Sequence, residues 1–131
     1  MTTYRTAVAD THSGKFRQSI TIGPHALGAD KPVEEGGEDG GPRPFEWLAA
    51  GLAACTSMTV KSWAEMKQLS LKRVHVEVTV VHDGERTTFE KQLRLEGALD
   101  DAQREGLVEI SKLSPVHQAL MGAITIETRL V

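Results

Sequence analysis

The feature that most constrains the fold of this chain is a continuous apolar run, Trp47 to Cys55, inside a longer stretch that can form a helix. We predict the helix from Phe45 to about Gln68, because two prolines mark its approach and its body contains none. Its first half is apolar on every side, and a helix with that pattern is buried all round. Something must therefore wrap it, and its many small residues let a second helix approach closely.

Alternating apolar and polar residues predict strands on both sides of this helix. Before it, Phe16 to Ile22 alternates, Gly23-Pro24 predicts a turn, and His25 to Leu27 predicts a further short strand. The acidic, glycine-rich segment from Asp30 to Pro44 predicts a mobile loop.

After the helix, Leu71 to Val81 and a return strand through Phe89 and Leu95 are joined by Asp83-Gly84, a hairpin signal. Lys91 interrupts the alternation of the return strand, which predicts a late start or a bulge there. Asp100 is predicted to cap a helix that ends near Leu113, with Gln103 at the capping-box position. A short helix begins at Ser114-Pro115, and Ile124 to Leu130 predicts a last strand.

This order of elements predicts an α+β fold in one domain covering residues 1–131. One apolar helix and about six strands make a poor self-contained globule at this size. We therefore expect a homodimer in which antiparallel sheets wrap a pair of central helices.

Charge and composition narrow the class of protein. The net charge of -3 and pI of about 5.9 argue against a nucleic-acid surface. The apolar run is too short to span a bilayer, and the N-terminus lacks a signal-peptide pattern. A single cysteine excludes an intrachain disulfide and fits a reducing compartment, so we expect a cytoplasmic protein. No spacing of histidines or glycines indicates a metal site or a bound cofactor.

Two motifs resemble those of the OsmC/Ohr family. Gly41 to Met58 is similar to its pattern G-P-x-P-x-E-L-L-x-A-A-x-x-A-C-T-x-M, and Ser114 to Leu120 is similar to C-P-V-H-x-x-L. Three upstream segments, Phe16 to Gln18, Gly23 to His25 and Asp30 to Val33, resemble its N-terminal half, so the resemblance covers essentially the whole chain.

The resemblance implies an intertwined homodimer and thiol-dependent reduction of organic hydroperoxides. It implies that Cys55 is the peroxidatic thiol, assisted by an N-terminal arginine and by a glutamate near the first motif. The family's second-motif cysteine resolves the oxidised thiol, but position 114 is serine here. The two-cysteine cycle therefore cannot run within this chain. Phe45 stands where better-studied branches place glutamate, and Glu46 matches a more divergent branch.

Each candidate residue also has a structural interpretation. Cys55 needs a nearby positive group to react as a thiolate, whereas a cysteine in an apolar helix is also ordinary core filling. Arg17 is the first candidate for that group and Arg43 the second, and either could instead be a solvated arginine. Glu46 lies about two and a half turns before Cys55, so it either orients an arginine across a dimer interface or complements the helix dipole.

The second motif also allows two interpretations. Ser114 is suited to cap the helix that starts at Pro115, and His117 either lines the same pocket or is a satisfied structural histidine.

Three functions remain open at this stage. The first is a one-cysteine peroxidase in which Cys55 reduces organic hydroperoxides and an external thiol regenerates it. The second is a redox-inactive relative that binds a small apolar ligand in a pocket at the dimer interface. The third is a sensor whose Cys55 forms a mixed disulfide with a partner.

Overall fold

The computed structural model describes residues 1–131, in five strands, three helices and one short 3₁₀ turn. The chain divides into two compact units, Met1–Leu48 and Ala49–Val131. The longest helix, α1 (Pro44–Met66), begins in the first unit and continues in the second, close to the bounds predicted from the sequence. The α+β class and the antiparallel sheets are confirmed.

The N-terminal unit contains a three-stranded antiparallel sheet in the order β1 (Ala7–Thr11), β2 (Gln18–Ile22), β3 (His25–Ala29). The predicted alternation forms β2, and the turn at Gly23-Pro24 leads into β3 as expected. Strand β1 was not predicted, because all five of its residues are exposed and carry no clear apolar alternation.

The loop between β3 and α1 has a defined conformation built around one carboxylate, in contrast to the mobile loop predicted there. Asp30 is almost fully buried and accepts hydrogen bonds from the backbone N–H groups of Lys31 (2.7 Å), Glu38 (3.1 Å) and Gly40 (3.0 Å). The bond from Gly40 contributes most to holding the pKa of Asp30 below its usual value, and the charge of Arg17 acts in the same direction. The glycine-rich composition of the loop does not reveal that its backbone donates hydrogen bonds to one buried carboxylate.

The C-terminal unit contains a long hairpin of β4 (Ser70–His82) and β5 (Thr87–Ala98), joined at the predicted turn. The strands pair in regular register except between Leu71 and Arg73. Gly97 lies opposite that irregularity with φ of 150°, and a Cβ there would collide with the Ser70 carbonyl oxygen.

The predicted late start or bulge at Lys91 is wrong. Lys91 pairs with Val78 in regular register and shares the half-buried face of β5 with Phe89, Leu93 and Leu95. The strand keeps its period of two because a lysine stem can lie along apolar surface while its ammonium reaches polar partners.

Two shorter helices follow, α2 (Asp101–Ser111) and α3 (Pro115–Met121). The Asp100–Gln103 capping box and the Ser114 cap form as predicted. The core of this unit consists of Val60, Ala64 and Leu107, surrounded by half-buried side chains of α1, β4 and β5.

In the single chain, helix α1 is buried along one face only, in contrast to the all-round burial predicted for its first half. Its buried residues recur every three or four positions: Ala49, Leu52, Thr56, Val60 and Ala64. The opposite face is exposed and consists of small or flexible residues, Gly51, Ala54, Met58 and Ser62. No helix of the structure combines the length and the apolar composition needed to cross a membrane.

The predicted last strand is wrong for the single chain. Residues 123–131 form no strand, and the exposed fractions of Ile124 and Ile126 are 61% and 84%. The alternating pattern is present, but the segment pairs with no strand of its own chain.

Candidate functional site

Cys55, the only thiol of the chain, is half-buried on α1 at the wall of an open groove of about 490 Å³. The groove lies within the C-terminal unit. Helical spacing brings Cys55, Thr59, Ser62 and Met66 to one face of α1, and all four line the groove.

The rest of the groove is apolar. Its other lining side chains come from α1 and from the region of α2 and α3: Met58, Trp63, Ile110, Leu113 and Pro115. Such a wall accommodates an apolar organic group next to the thiol, and polar side chains contribute little to it.

A second group of residues surrounds the Lys91 ammonium. Its Nζ donates to Thr56 Oγ1 at 3.3 Å, to the Ser111 carbonyl oxygen at 3.1 Å and to His117 Nδ1 at 3.0 Å. We call these four residues the Lys91 cluster. An ammonium has three donors and no acceptor, so three acceptors match its charged form. The same reasoning makes His117 Nδ1 an acceptor and places the ring proton on Nε2.

The Lys91 cluster interacts electrostatically with the thiol of Cys55. Burial lowers the pKa of Lys91 below its usual value, the interaction with Cys55 raises it, and the nearby Lys112 lowers it. Burial also lowers the pKa of His117, and Lys91 and then Lys112 lower it further. A neutral His117 is the form that can accept the hydrogen bond from Lys91.

Ser114 is completely buried at the start of α3. Its Oγ accepts a hydrogen bond of 3.2 Å from the backbone N–H of His117 and caps the helix. Pro115, the next residue, lines the groove together with Cys55. The structure thus brings together the first-motif cysteine and the second motif, within one unit.

The other predicted site residues lie in the N-terminal unit and have partners there. Arg43 forms an ion pair of 3.0 Å with Glu35, and Glu46 Oε1 accepts a hydrogen bond of 2.7 Å from the Arg43 backbone N–H. The charge of Arg17 acts on Asp30. In this chain, Arg43 and Glu46 thus take part in contacts at the start of α1.

Lys91 is the residue that the sequence analysis missed as part of the site. Its signal was present as a single charged residue on the otherwise apolar face of a strand. Such a residue favours either an irregular strand or a buried charge with dedicated partners, and the structure shows the second.

Comparison with known proteins identifies the family to which the chain is similar. The sequence model described as OsmC-like protein matches residues 36–129. No curated protein matches the chain by sequence.

Solved structures share the fold over nearly the whole chain. An OsmC-like protein from Mycoplasma pneumoniae has a TM-score of 0.81 at 18% identity, covering 93% of this chain and 90% of that one. A protein from Vibrio cholerae, described as an organic hydroperoxide resistance protein with captopril in one of its active sites, has a TM-score of 0.69 at 26% identity, covering 93% and 88%. An organic hydroperoxide resistance protein from Legionella pneumophila has a TM-score of 0.64 at 26% identity, covering 92% and 93%.

Proposed function

This chain belongs to the OsmC-like protein family, and from that premise we propose that it reduces organic hydroperoxides through the thiol of Cys55, with an external thiol as reductant. The observation that carries the proposal is the placement of Cys55 at an open apolar groove, where it interacts electrostatically with Lys91. The descriptions of two similar proteins name resistance to the same class of substrate.

The first chemical step is a displacement at oxygen. The Cys55 thiolate attacks one oxygen of the hydroperoxide, the O–O bond breaks, and the other oxygen leaves as an alkoxide that takes up a proton. The sulfur loses two electrons and becomes a sulfenic acid, and the hydroperoxide becomes an alcohol. The groove holds the organic group of the substrate against its apolar side chains.

The second stage needs two molecules of an external thiol, because Ser114 cannot act as the resolving thiol. The first condenses with the sulfenic acid to give a mixed disulfide and water. The second attacks that disulfide and releases Cys55 as a thiol together with the oxidised reductant. A reducing cytoplasm supplies such thiols, which is the compartment we propose.

We propose that the working form is a homodimer. The exposed face of α1 is lined by Gly51 and Ala54, which allow a second helix to approach closely, and by the apolar side chain of Met58. The exposed segment 123–131 carries a strand pattern that lacks a partner in its own chain. A second copy would cover both surfaces.

Arg17 remains the proposed ligand of the peroxide oxygen, with Arg43 as the alternative and Glu46 as the group that orients the arginine. A guanidinium suits this role because its fork of donors can bind an oxygen that gains negative charge.

The proposal is tested by exposing the reduced protein to a stoichiometric organic hydroperoxide and following the mass of the peptide that contains Cys55. We expect one added oxygen, captured by dimedone and removed by excess thiol. Cys55→Ser is the control and should stay unmodified. An unmodified wild-type Cys55 after excess hydroperoxide would eliminate the peroxidase function.

One observation favours the alternative, a redox-inactive protein that binds a small apolar ligand. Ser114 is buried and committed to capping α3, so the second position of the redox motif serves a structural purpose here. On this alternative, a hydrophobic dye would be displaced from the groove equally well by an alcohol and by its hydroperoxide, and Cys55 would stay reduced.

A further inference from the structure

The Lys91 cluster holds a half-buried ammonium against Thr56, the residue that follows the only thiol, and we propose that Lys91 is the positioning residue that supplies the positive charge for the Cys55 thiolate. Thr56, the Ser111 carbonyl and neutral His117 hold its ammonium in place. The inference rests on the proposed function of Cys55 as the reactive thiol, and it assigns the supporting charge to a residue of the same unit.

Placing a lysine at position 91 has a cost in free energy, because its charge is partly removed from water. The inward face of β5 otherwise carries Phe89, Leu93 and Leu95. An aliphatic side chain at position 91 would bury similar surface without removing a charge from water. Fold stability therefore does not account for a lysine at this position.

The ammonium of Lys91 is fully coordinated. Its three acceptors come from three different elements: α1, the end of α2, and α3. This fixes the position of the charge relative to α1, because Thr56 directly follows Cys55. A charge held by three bonds requires little reorganisation when the thiolate forms.

The electrostatic interaction between Lys91 and Cys55 acts on both groups. The interaction with Cys55 favours the charged form of Lys91. An interaction between two charges belongs to both of them, so under this proposal the ammonium also attracts the sulfur once the sulfur is ionised. The same charge also favours the anionic oxygen that leaves during the O–O cleavage.

The other charged groups at the cluster are few. Lys112 acts on both Lys91 and His117, and it forms an ion pair of 3.0 Å with Glu109. Both members of that pair are half-exposed or more, so solvent and salt screen them. Lys91 is the less exposed of the two lysines.

The test measures the rate of Cys55 alkylation by iodoacetamide as a function of pH, which reports thiolate without any peroxide. We expect Lys91→Met to react roughly tenfold more slowly at neutral pH, because the variant lacks the positive charge near the sulfur. At alkaline pH its rate should equal or exceed that of the wild type, because a more basic thiolate is more nucleophilic.

Three further variants separate charge from structure. Lys91→Arg keeps the charge and should retain the wild-type curve, whereas Lys91→Gln keeps N–H donors without charge and should shift it like Lys91→Met. Lys61→Met removes an exposed charge from α1, the helix that carries Cys55, and should leave the alkylation curve unchanged. If Lys91→Met fails to fold, Lys91→Gln carries the test.

Two results would overturn the inference: superimposable curves for the neutral variants and the wild type, or slowing by the same factor at every pH. Because alkylation needs no hydroperoxide, the outcomes are separable. If the wild type reduces no hydroperoxide but the curve shifts, the role of Lys91 stands and the peroxidase function fails. If the wild type is a peroxidase and the curve does not shift, only the role of Lys91 fails.

Discussion

Position 114 is where this chain differs most in chemistry from the motif it resembles. A serine hydroxyl caps α3 as well as any residue type can, but it cannot form a disulfide. The neighbouring Pro115 lies at the groove with Cys55. The second motif therefore lies near Cys55 and is capped by Ser114, but it supplies no thiol.

Ser114→Cys should restore that chemistry. We expect an organic hydroperoxide to produce a disulfide between Cys55 and the new thiol, at a cost of about 1 kcal/mol in stability from the weaker cap. The measurement is free-thiol counting before and after oxidation, with peptide mapping of the linked pair. If strong oxidants never link the two sulfurs, the assignment of position 114 to the second motif is wrong.

His117 gives the stability of the protein a defined pH dependence. Its pKa is lowered in the folded chain from an ordinary value of 6.5. In the interval below 6.5 the unfolded chain therefore binds a proton that the folded chain does not, and acid favours unfolding. The free energy of unfolding should fall as the pH decreases through this interval and level off below the folded-state pKa.

His117→Asn isolates this contribution, because the asparagine oxygen can accept from Lys91 and does not titrate. Urea unfolding at several pH values should show a smaller decrease for the variant than for the wild type. Equal slopes would mean that the half-buried His117 is not neutral in the folded chain, which would also remove its role as an acceptor for Lys91.

At the scale of elements, local patterns predicted most of the fold. Helix α1, the β4–β5 hairpin, the Asp100 capping box and the α3 start all depend on short-range signals, and all formed. Strand β1 was missed because an exposed strand carries no apolar alternation. The defined conformation of the loop was missed because it depends on hydrogen bonds from Glu38 and Gly40 to the Asp30 carboxylate, which no local sequence signal indicates.

The segment after α3 has the pattern of a strand but pairs with no strand of its own chain. We therefore expect it to lie at the interface between two copies. Ile124→Lys combined with Ile126→Lys should weaken self-association by at least tenfold, because it places charges on the apolar face of the alternation. Thr125→Lys combined with Glu127→Lys is the matched control on the other face and should leave association unchanged. Sedimentation analysis over a range of concentrations makes the comparison.

If both double variants associate like the wild type, the segment does not lie at an interface between copies. A wild type that is monomeric at all concentrations would remove the homodimer itself.

At the scale of the molecule, the sequence predicted the fold class and the meeting of two motifs, but not the full electrostatics of the site. Cys55, Ser114 and His117 were predicted as site residues because they stand in the two motifs that resemble those of the OsmC/Ohr family. Lys91 was missed because its importance depends on the direction in which a strand faces, and on three acceptors that the chain brings together from far apart in sequence. The partners of Arg43 and Glu46 were likewise visible only in three dimensions.

The open groove beside a solitary sulfur has a consequence for how such a protein behaves over time. An enzyme with two cysteines forms an intrachain disulfide after oxidation and stays oxidised until a dedicated reductase reduces it. If Cys55 is oxidised as proposed, the sulfur has no second thiol in its chain, so the lifetime of the oxidised form would depend on the concentration of small thiols that can enter the groove. The oxidised fraction would then reflect the balance between arriving peroxide and available thiol in its surroundings.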